Sequence, residues 1–179
     1  MPVSDSPPDF QSSDFALLGL PERYAQDAAD IDARWKALQR QAHPDRFAAQ
    51  GAAAQRVAMQ WSARINQARR RLLDPLARAA YLCELRGAPI RVEDNTAMPP
   101  EFLAQQMTWR EALDEADTPA AFDALRAQVD AARLRAFSVL EWLLDEQGDA
   151  PAAAAQVRAL MFIQRLADDL ERRCEPGRV

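Results

Sequence analysis

The chain has 179 residues, of which 49% are hydrophobic and 27% charged, and its formal net charge is −5. These proportions are those of a globular protein with its own core, and they exclude a disordered or fibrous chain. Only 5 residues are glycine and alanine is plentiful, which favours helix over sheet. No apolar run is long enough to cross a membrane, and the first 22 residues lack Arg and Lys. Neither a secretory signal nor a mitochondrial presequence is expected, so the sequence predicts a cytoplasmic protein.

The charge is divided unevenly between the two halves of the chain. Residues 1–98 carry 13 basic and 12 acidic side chains, whereas residues 99–179 carry 9 and 15. Such asymmetry suggests that the two halves have different partners. The two cysteines, Cys83 and Cys174, match no metal-binding spacing, so we expect reduced, buried thiols and no metal site.

The first half is predicted to contain an antiparallel helical hairpin. Residues 1–13 are rich in Ser, Pro and Asp and are expected to be a disordered tail, followed by a short helix that Asp14 caps and Gly19 ends. The next helix runs from Asp27 or Asp30 to Ala42, and a longer one from Gln50 or Ala53 to Leu73. Apolar residues recur at helical spacing on both, namely Ile31, Trp35, Leu38 and Ala42 on one and Val57, Trp61, Ile65, Ala68 and Leu72 on the other.

The hairpin turns at His43-Pro44-Asp45, which contains the only histidine of the chain. Proline disfavours helical geometry at the residue before it, so the first helix of the hairpin must end near Ala42 or His43. The triplet is therefore predicted to form a rigid, exposed corner. One interpretation is a simple helix-breaking turn, but polar residues on a loop held by a scaffold are also a hint of function.

A run of arginines follows this corner. Residues 46–73 contain six of them, at positions 46, 56, 64, 69, 70 and 71, and no acidic residue. The run is either an ordinary solvated face or an electropositive docking surface. The net negative charge of the whole chain weakens the case for nucleic acid as the partner.

The second half is predicted to be a three-helix bundle. A fourth helix starts at Asp74-Pro75 and ends before Gly87. Residues 87–98 are predicted to be the linker, within a stretch that contains Pro89, Pro99 and Pro100. Three amphipathic helices follow, from about Pro100 to Ala116, from Pro119 to about Gln147 and from Pro151 to about Cys174. Because no strand pattern is present, the predicted fold class is all-α.

The first helix of this bundle carries two stripes. Phe102, Gln106, Trp109 and Leu113 form a core stripe, and Leu103, Met107, Glu111 and Glu115 recur every four residues on a neighbouring face. The second stripe is apolar at one end and acidic at the other, which suits a site for a protein partner. Phe162 lies about 200° from Leu160 on a helix, away from the core stripe of the last helix. The alternative is that Leu103 and Met107 are simply part of the core.

This order of elements resembles the HscB family, the J-domain co-chaperones of iron–sulfur cluster assembly. The resemblance covers roughly residues 14–175 and is carried by the segments FALLGLPERY, LQRQAHPDRF, INQA, RAAYLCELRG and FLAQQMTWREALDEA. It implies an L-shaped all-α protein. Its parts would be a J domain at residues 14–86, a linker at 87–98 and a C-terminal antiparallel three-helix bundle at 99–179.

The resemblance also implies an activity and the residues that carry it. The J domain is expected to dock on the DnaK-type chaperone HscA and stimulate its ATPase, and the bundle to bind the iron–sulfur scaffold protein IscU and deliver it. The implied chaperone-binding residues are His43, Pro44, Asp45, Arg34, Lys36, Arg40, Gln41 and Arg46. The implied scaffold-binding residues are Leu103, Ala104, Met107, Thr108, Glu111, Glu115 and Phe162. Family members commonly have Tyr before the triplet, where Ala42 stands in this chain.

A co-chaperone of this kind needs no cofactor, metal or catalytic site of its own, and we expect a monomer in a bacterial cytoplasm. Three alternatives remain open. The chain could be a J protein with another client, or a nucleic-acid binder that uses the arginines of residues 46–73. It could also be an enzyme with His43 as base and Asp45 as its orienting group, although the sequence offers no second catalytic group.

Overall fold

The computed structural model describes residues 10–91 and 98–174, and every regular element in these ranges is helical. The α-helices are α1 (Asp14–Leu18), α2 (Ala28–Ala42), α3 (Ala52–Leu73), α4 (Pro75–Leu85), α5 (Pro100–Glu115), α6 (Pro119–Glu141) and α7 (Ala150–Cys174). A 3₁₀ helix (Pro44–Gln50) joins α2 to α3, and a π-helix (Trp142–Gln147) continues α6. The predicted all-α fold is confirmed. Within the described ranges, no helix combines the length and apolar character needed to span a membrane.

The chain divides into two compact units, and the division falls inside α4, between Leu82 and Cys83. The sequence had placed the end of the first domain four residues later, after the whole of α4. The middle of the expected linker, residues 92–97, lies outside the described residues, as do residues 1–9 of the expected tail.

In the first unit, α2 and α3 pack as an antiparallel hairpin whose register is set by a polar network. Trp35 Nε1 and Gln39 Nε2 both donate to Oδ1 of Asn66, at 2.8 and 2.7 Å, and Ser62 Oγ donates to Gln39 Oε1 at 2.9 Å. In this register the first turns of α3 extend beyond the end of α2. Val57 was predicted to be in the buried stripe, but α2 does not reach it, so it is exposed and Ala58 is buried instead.

The start of α1 differs from the prediction that Asp14 caps it. The cap is Ser13, whose Oγ accepts from the Ala16 backbone N–H at 3.1 Å, while Gly19 ends the helix at φ 64° as predicted. Asp14 is fully buried, with Oδ1 2.5 Å from Nη1 of Arg64 and Oδ2 3.0 Å from Nη1 of Arg71. The carboxylate cannot cap α1 because it faces two arginines of α3.

The residues just before α1 also pack on α3. The ring of Phe10 stacks on Trp61 with centroids 4.0 Å apart, and Arg64 Nη2 donates to the carbonyl oxygen of Ser12 at 2.9 Å. The stacked ring of Phe10 holds this part of the expected tail against α3, because stacked aromatic pairs bury apolar surface in a defined geometry.

In the second unit, α5, α6 and α7 form a helical bundle. The most extensive packing is between α6 and α7, and α5 contacts both. The largest fully buried side chains of this unit include Val129, Leu140, Leu144, Val157, Leu160 and Leu170. Cys83 is a free, buried thiol, and burial raises its pKa to about 11, whereas the side chain of Cys174 lies outside the described set.

The helix predicted from Pro119 to Gln147 changes character near its end. The last six residues form the π-helix, whose Leu144 carbonyl oxygen accepts a hydrogen bond from Nη1 of Arg86 at 2.5 Å. A π-turn shifts the pattern of backbone hydrogen bonds, and apolar periodicity alone does not reveal that shift.

Candidate functional site

The His43-Pro44-Asp45 corner is exposed and held by local hydrogen bonds. α2 ends at Ala42, as the proline predicted, and the 3₁₀ helix begins at Pro44. The Asp45 backbone N–H donates to Nδ1 of His43 at 3.3 Å, and the Arg46 N–H donates to the His43 carbonyl oxygen at 3.1 Å. The side chains of His43 and Asp45 are 56% and 89% exposed. Nδ1 is thus engaged as an acceptor, and the rest of the imidazole and the carboxylate are available to a partner.

The implied chaperone-binding residues of α2 fall into two groups. Lys36, Arg40 and Gln41 are exposed, and neither cation has an ion pair among the described residues. Arg34 is held in place, because its Nε donates to Oδ1 of Asp30 at 3.0 Å and its Nη1 donates to the Gly19 carbonyl oxygen at 2.6 Å. Arg34 therefore connects α2 to the end of α1 as well as carrying a charge.

Arg46, the last of the implied set, lies just beyond the triplet. Its side chain is exposed, and its Nη1 donates to the carbonyl oxygen of Arg40 at 3.1 Å. This bond covers the last turn of α2, where carbonyl groups lack helical partners. The implied chaperone-binding residues thus lie on α2 and the corner that follows it.

The arginine run of residues 46–73 is only in part a free surface. Arg64 and Arg71 bind the buried carboxylate of Asp14, and Arg69 binds Asp32 at 2.7 Å while lying 4.5 Å above the ring of Trp35. The hydrogen bond from Arg69 lowers the pKa of Asp32 below its usual value. The expectation of one continuous docking or solvated face was therefore wrong for these three arginines. Their acidic partners lie upstream, outside the run.

The implied scaffold-binding residues of α5 lie on an exposed face. Leu103 and Met107 are 45% and 63% exposed, and Ala104, Thr108, Glu111 and Glu115 are exposed as well. Trp109 and Leu113 of the core stripe are buried, and Phe102 and Gln106 are half-buried. The alternative that Leu103 and Met107 are core residues is excluded. We call the exposed set of residues 103, 104, 107, 108, 111 and 115 the α5 surface.

Phe162 lies on α7, beside a groove that sequence reasoning missed. It is half-buried, and the guanidinium of Arg165 lies 5.6 Å from its ring centroid. The groove has a volume of about 330 Å³ and separates α5 from α7, with Gln106, Trp109 and Arg110 on one side and Phe162 and Arg165 on the other. The core stripe of α5 could have indicated a contact with α7. Periodicity does not tell, however, whether the two helices pack without a gap between them.

Comparisons with known proteins find similarity along most of the chain. The family model described as "HSCB C-terminal oligomerisation domain" matches residues 98–171. The "Co-chaperone protein HscB homolog" of Bordetella pertussis is 52% identical over 157 residues, covering 87% of this chain and 92% of that protein. The protein of the same description from Cupriavidus taiwanensis is 50% identical over 158 residues, covering 87% and 89%.

Two solved structures are similar as well. The chaperone HscB from Vibrio cholerae superimposes with a TM-score of 0.76 at 36% identity, covering 90% of this chain and 97% of that one. The human co-chaperone protein HscB has a TM-score of 0.88 at 26% identity, covering 95% and 86%. In both comparisons the similarity spans both compact units.

Proposed function

The chain belongs to the HscB family of co-chaperones, and we propose that it brings an IscU-type iron–sulfur scaffold protein to an HscA-type, DnaK-like chaperone and stimulates the ATPase of that chaperone. The observation that carries the proposal is the pairing of two exposed surfaces in one chain. The first unit has the His43-Pro44-Asp45 corner, and the second has the α5 surface. The side chains of both surfaces point away from the core, so packing of the core does not account for their presence.

The corner and the basic face of α2 serve the chaperone. Lys36 and Arg40 are exposed and form no ion pair with another described residue, so their charges attract an acidic partner over a distance of about 10 Å at 0.1 M salt. His43 and Asp45 then offer a nitrogen and a carboxylate at the end of that helix. The chemistry of ATP hydrolysis stays with the chaperone, so the co-chaperone needs only to bind its active conformation preferentially.

The α5 surface serves the scaffold. Exposed Leu and Met side chains supply the apolar centre of an interface, and Glu111 and Glu115 supply a charged rim. A partner for this surface must offer apolar side chains next to basic ones. Binding both proteins at once raises the local concentration of scaffold at the chaperone, which promotes cluster maturation and transfer in the bacterial cytoplasm.

The proposal is tested by isothermal titration of the full chain with a purified IscU-type scaffold. We expect saturable binding at one site, with an affinity that depends on the α5 surface. If the scaffold does not bind, the chain is better explained as a J protein that delivers another client.

A further inference from the structure

The groove between α5 and α7 has an apolar floor. Its volume is about 330 Å³, which is large enough for one or two side chains of a partner. The floor and inner walls are formed by Trp109, Leu113, Ile163 and Leu166. Phe162 forms part of the rim and also belongs to the proposed scaffold-binding set, so the groove begins where the proposed interface ends.

Within the described ranges, the two charged side chains of the groove that form no ion pair, Arg110 and Arg165, are both positive. Asp114 is neutralised by Arg173 at 3.0 Å, and Asp169 is paired with Arg172. Among the described residues, Arg110 makes no hydrogen bond or ion pair, and Arg165 contacts only the ring of Phe162. A guanidinium without a partner at the edge of an apolar groove favours a carboxylate, which it can bind through two parallel hydrogen bonds.

Two buried donors beneath the groove also lack partners. Trp109 is only 5% exposed, and neither its Nε1 nor Nε2 of Gln106 has an acceptor within the described part of the chain. Buried N–H groups are nearly always hydrogen-bonded in folded proteins, so these two donors favour an acceptor oxygen at this place. Both Gln106 and Trp109 line the groove.

We propose that the groove binds an acidic, apolar segment of the scaffold protein, with a hydrophobic side chain on the floor and an Asp or Glu carboxylate on Arg110. The inference rests on the proposed function, because a scaffold seated on the α5 surface reaches the groove past Phe162. The groove would add a second type of contact to the interface, with the opposite charge preference. The α5 surface, with its two glutamates, attracts basic groups of the scaffold, and the groove attracts acidic ones.

The test compares scaffold binding by matched variants of the full chain. Arg110→Gln is expected to raise the dissociation constant on the order of tenfold at low salt and by less at high salt. Arg110→Lys is expected to restore part of the lost affinity. Gln106→Met is expected to weaken binding as well. The controls are Arg135→Gln, an exposed arginine on α6, and Gln105→Met, an exposed neighbour outside the groove; both should bind as the unmodified chain does.

A second readout follows the groove directly. In ¹⁵N-labelled protein, the indole N–H resonance of Trp109, assigned with Trp109→Phe, is expected to shift when the scaffold is added. If the scaffold binds but this resonance does not move and Arg110→Gln binds normally, the groove is not part of the interface, and the proposed function stands. If the unmodified chain does not bind the scaffold, both fail. If Arg110→Gln changes only the self-association measured by sedimentation, the groove is a contact between copies, and the inference is wrong.

Discussion

Asp14 and Arg71 join the first helix to the third: Nη1 of Arg71 donates to Oδ2 of Asp14 at 3.0 Å, and the Asp14 side chain is fully buried. The same guanidinium lies 4.5 Å from the ring centroid of Tyr81, whose hydroxyl accepts from the backbone N–H of Asp14 at 3.0 Å. Arg64 supplies a second positive charge to the carboxylate. The cluster connects α1, α3 and α4 within the first unit, and it contains none of the residues proposed to bind a partner.

Replacing both Arg64 and Arg71 should therefore lower the unfolding free energy of the first unit. The double variant Arg64→Gln/Arg71→Gln leaves a buried carboxylate without a charged partner, which costs about 3–5 kcal/mol of unfolding free energy. Urea unfolding measures the loss. The matched control is Arg56→Gln/Arg70→Gln on the same helix, where both side chains are exposed and the expected change is within about 0.5 kcal/mol. Equal midpoints for the two double variants would show that the buried cluster contributes nothing.

The pKa of Asp32 offers a separate test of the α2–α3 contact. The hydrogen bond from Arg69 favours the ionised carboxylate in the folded state, so the pKa lies below the usual value of 3.8. The stabilising contribution is present above the unfolded pKa and is lost as the pH falls through the lower folded pKa. NMR titration of the Asp32 carboxyl carbon should show that the pKa of Asp32 is higher in Arg69→Gln than in the unmodified chain and unchanged in Arg70→Gln. An unchanged midpoint in Arg69→Gln would contradict the assignment.

The positive charges of α2 should act mainly on the rate of association with the chaperone. Arg40→Glu is expected to slow association about three- to tenfold at low salt, with the difference shrinking as salt is added. Stopped-flow binding measures this rate. Arg34→Glu should slow association and also lower stability by about 1 kcal/mol, because it removes the hydrogen bond to Gly19 and places two acids four residues apart. Association of Arg40→Glu at the normal rate in low salt would mean that this charge is merely solvated.

Leu103 and Leu113 lie on the same helix and should respond in opposite ways to the same substitution. Leu113 is 4% exposed, so Leu113→Ala should lower the unfolding free energy by about 2–5 kcal/mol. Leu103→Ala should change stability by less than about 1 kcal/mol but weaken scaffold binding about tenfold. Thermal unfolding and titration calorimetry on both variants separate the effects. A Leu103→Ala protein that binds the scaffold normally would place the interface elsewhere on the bundle.

The features that could be predicted from the sequence are those set by neighbouring residues. Pro44 fixes the end of α2 at Ala42 because the restriction it imposes acts on the preceding residue. The exposure of Leu103 and Met107 follows from the phase of α5, since Trp109 and Leu113 already occupy the buried face. These are local consequences of helix geometry, and the structure agrees with them.

The features that could not be predicted depend on residues far apart in the chain. Arg64 and Arg71 look like surface charges in the sequence, and only the folded chain brings them to Asp14, 50 or more positions upstream. Val57 fits the apolar stripe of α3 but lies beyond the reach of α2, because the two helices differ in length. The groove beside Arg110 depends on how closely α5 and α7 approach, and helical periodicity carries no information on that distance.

The ATP hydrolysis rate of a purified HscA-type chaperone, measured with an IscU-type scaffold present, tests directly whether this chain couples the two proteins through its His43-Pro44-Asp45 corner. We expect the unmodified chain to raise the rate and His43→Gln to leave it at the basal level, because the exposed imidazole is needed for neither core. His43→Gln should keep the same melting temperature and the same affinity for the scaffold. A His43→Gln protein that stimulates hydrolysis as strongly as the unmodified chain, or an unmodified chain that gives no stimulation, would contradict the proposed function.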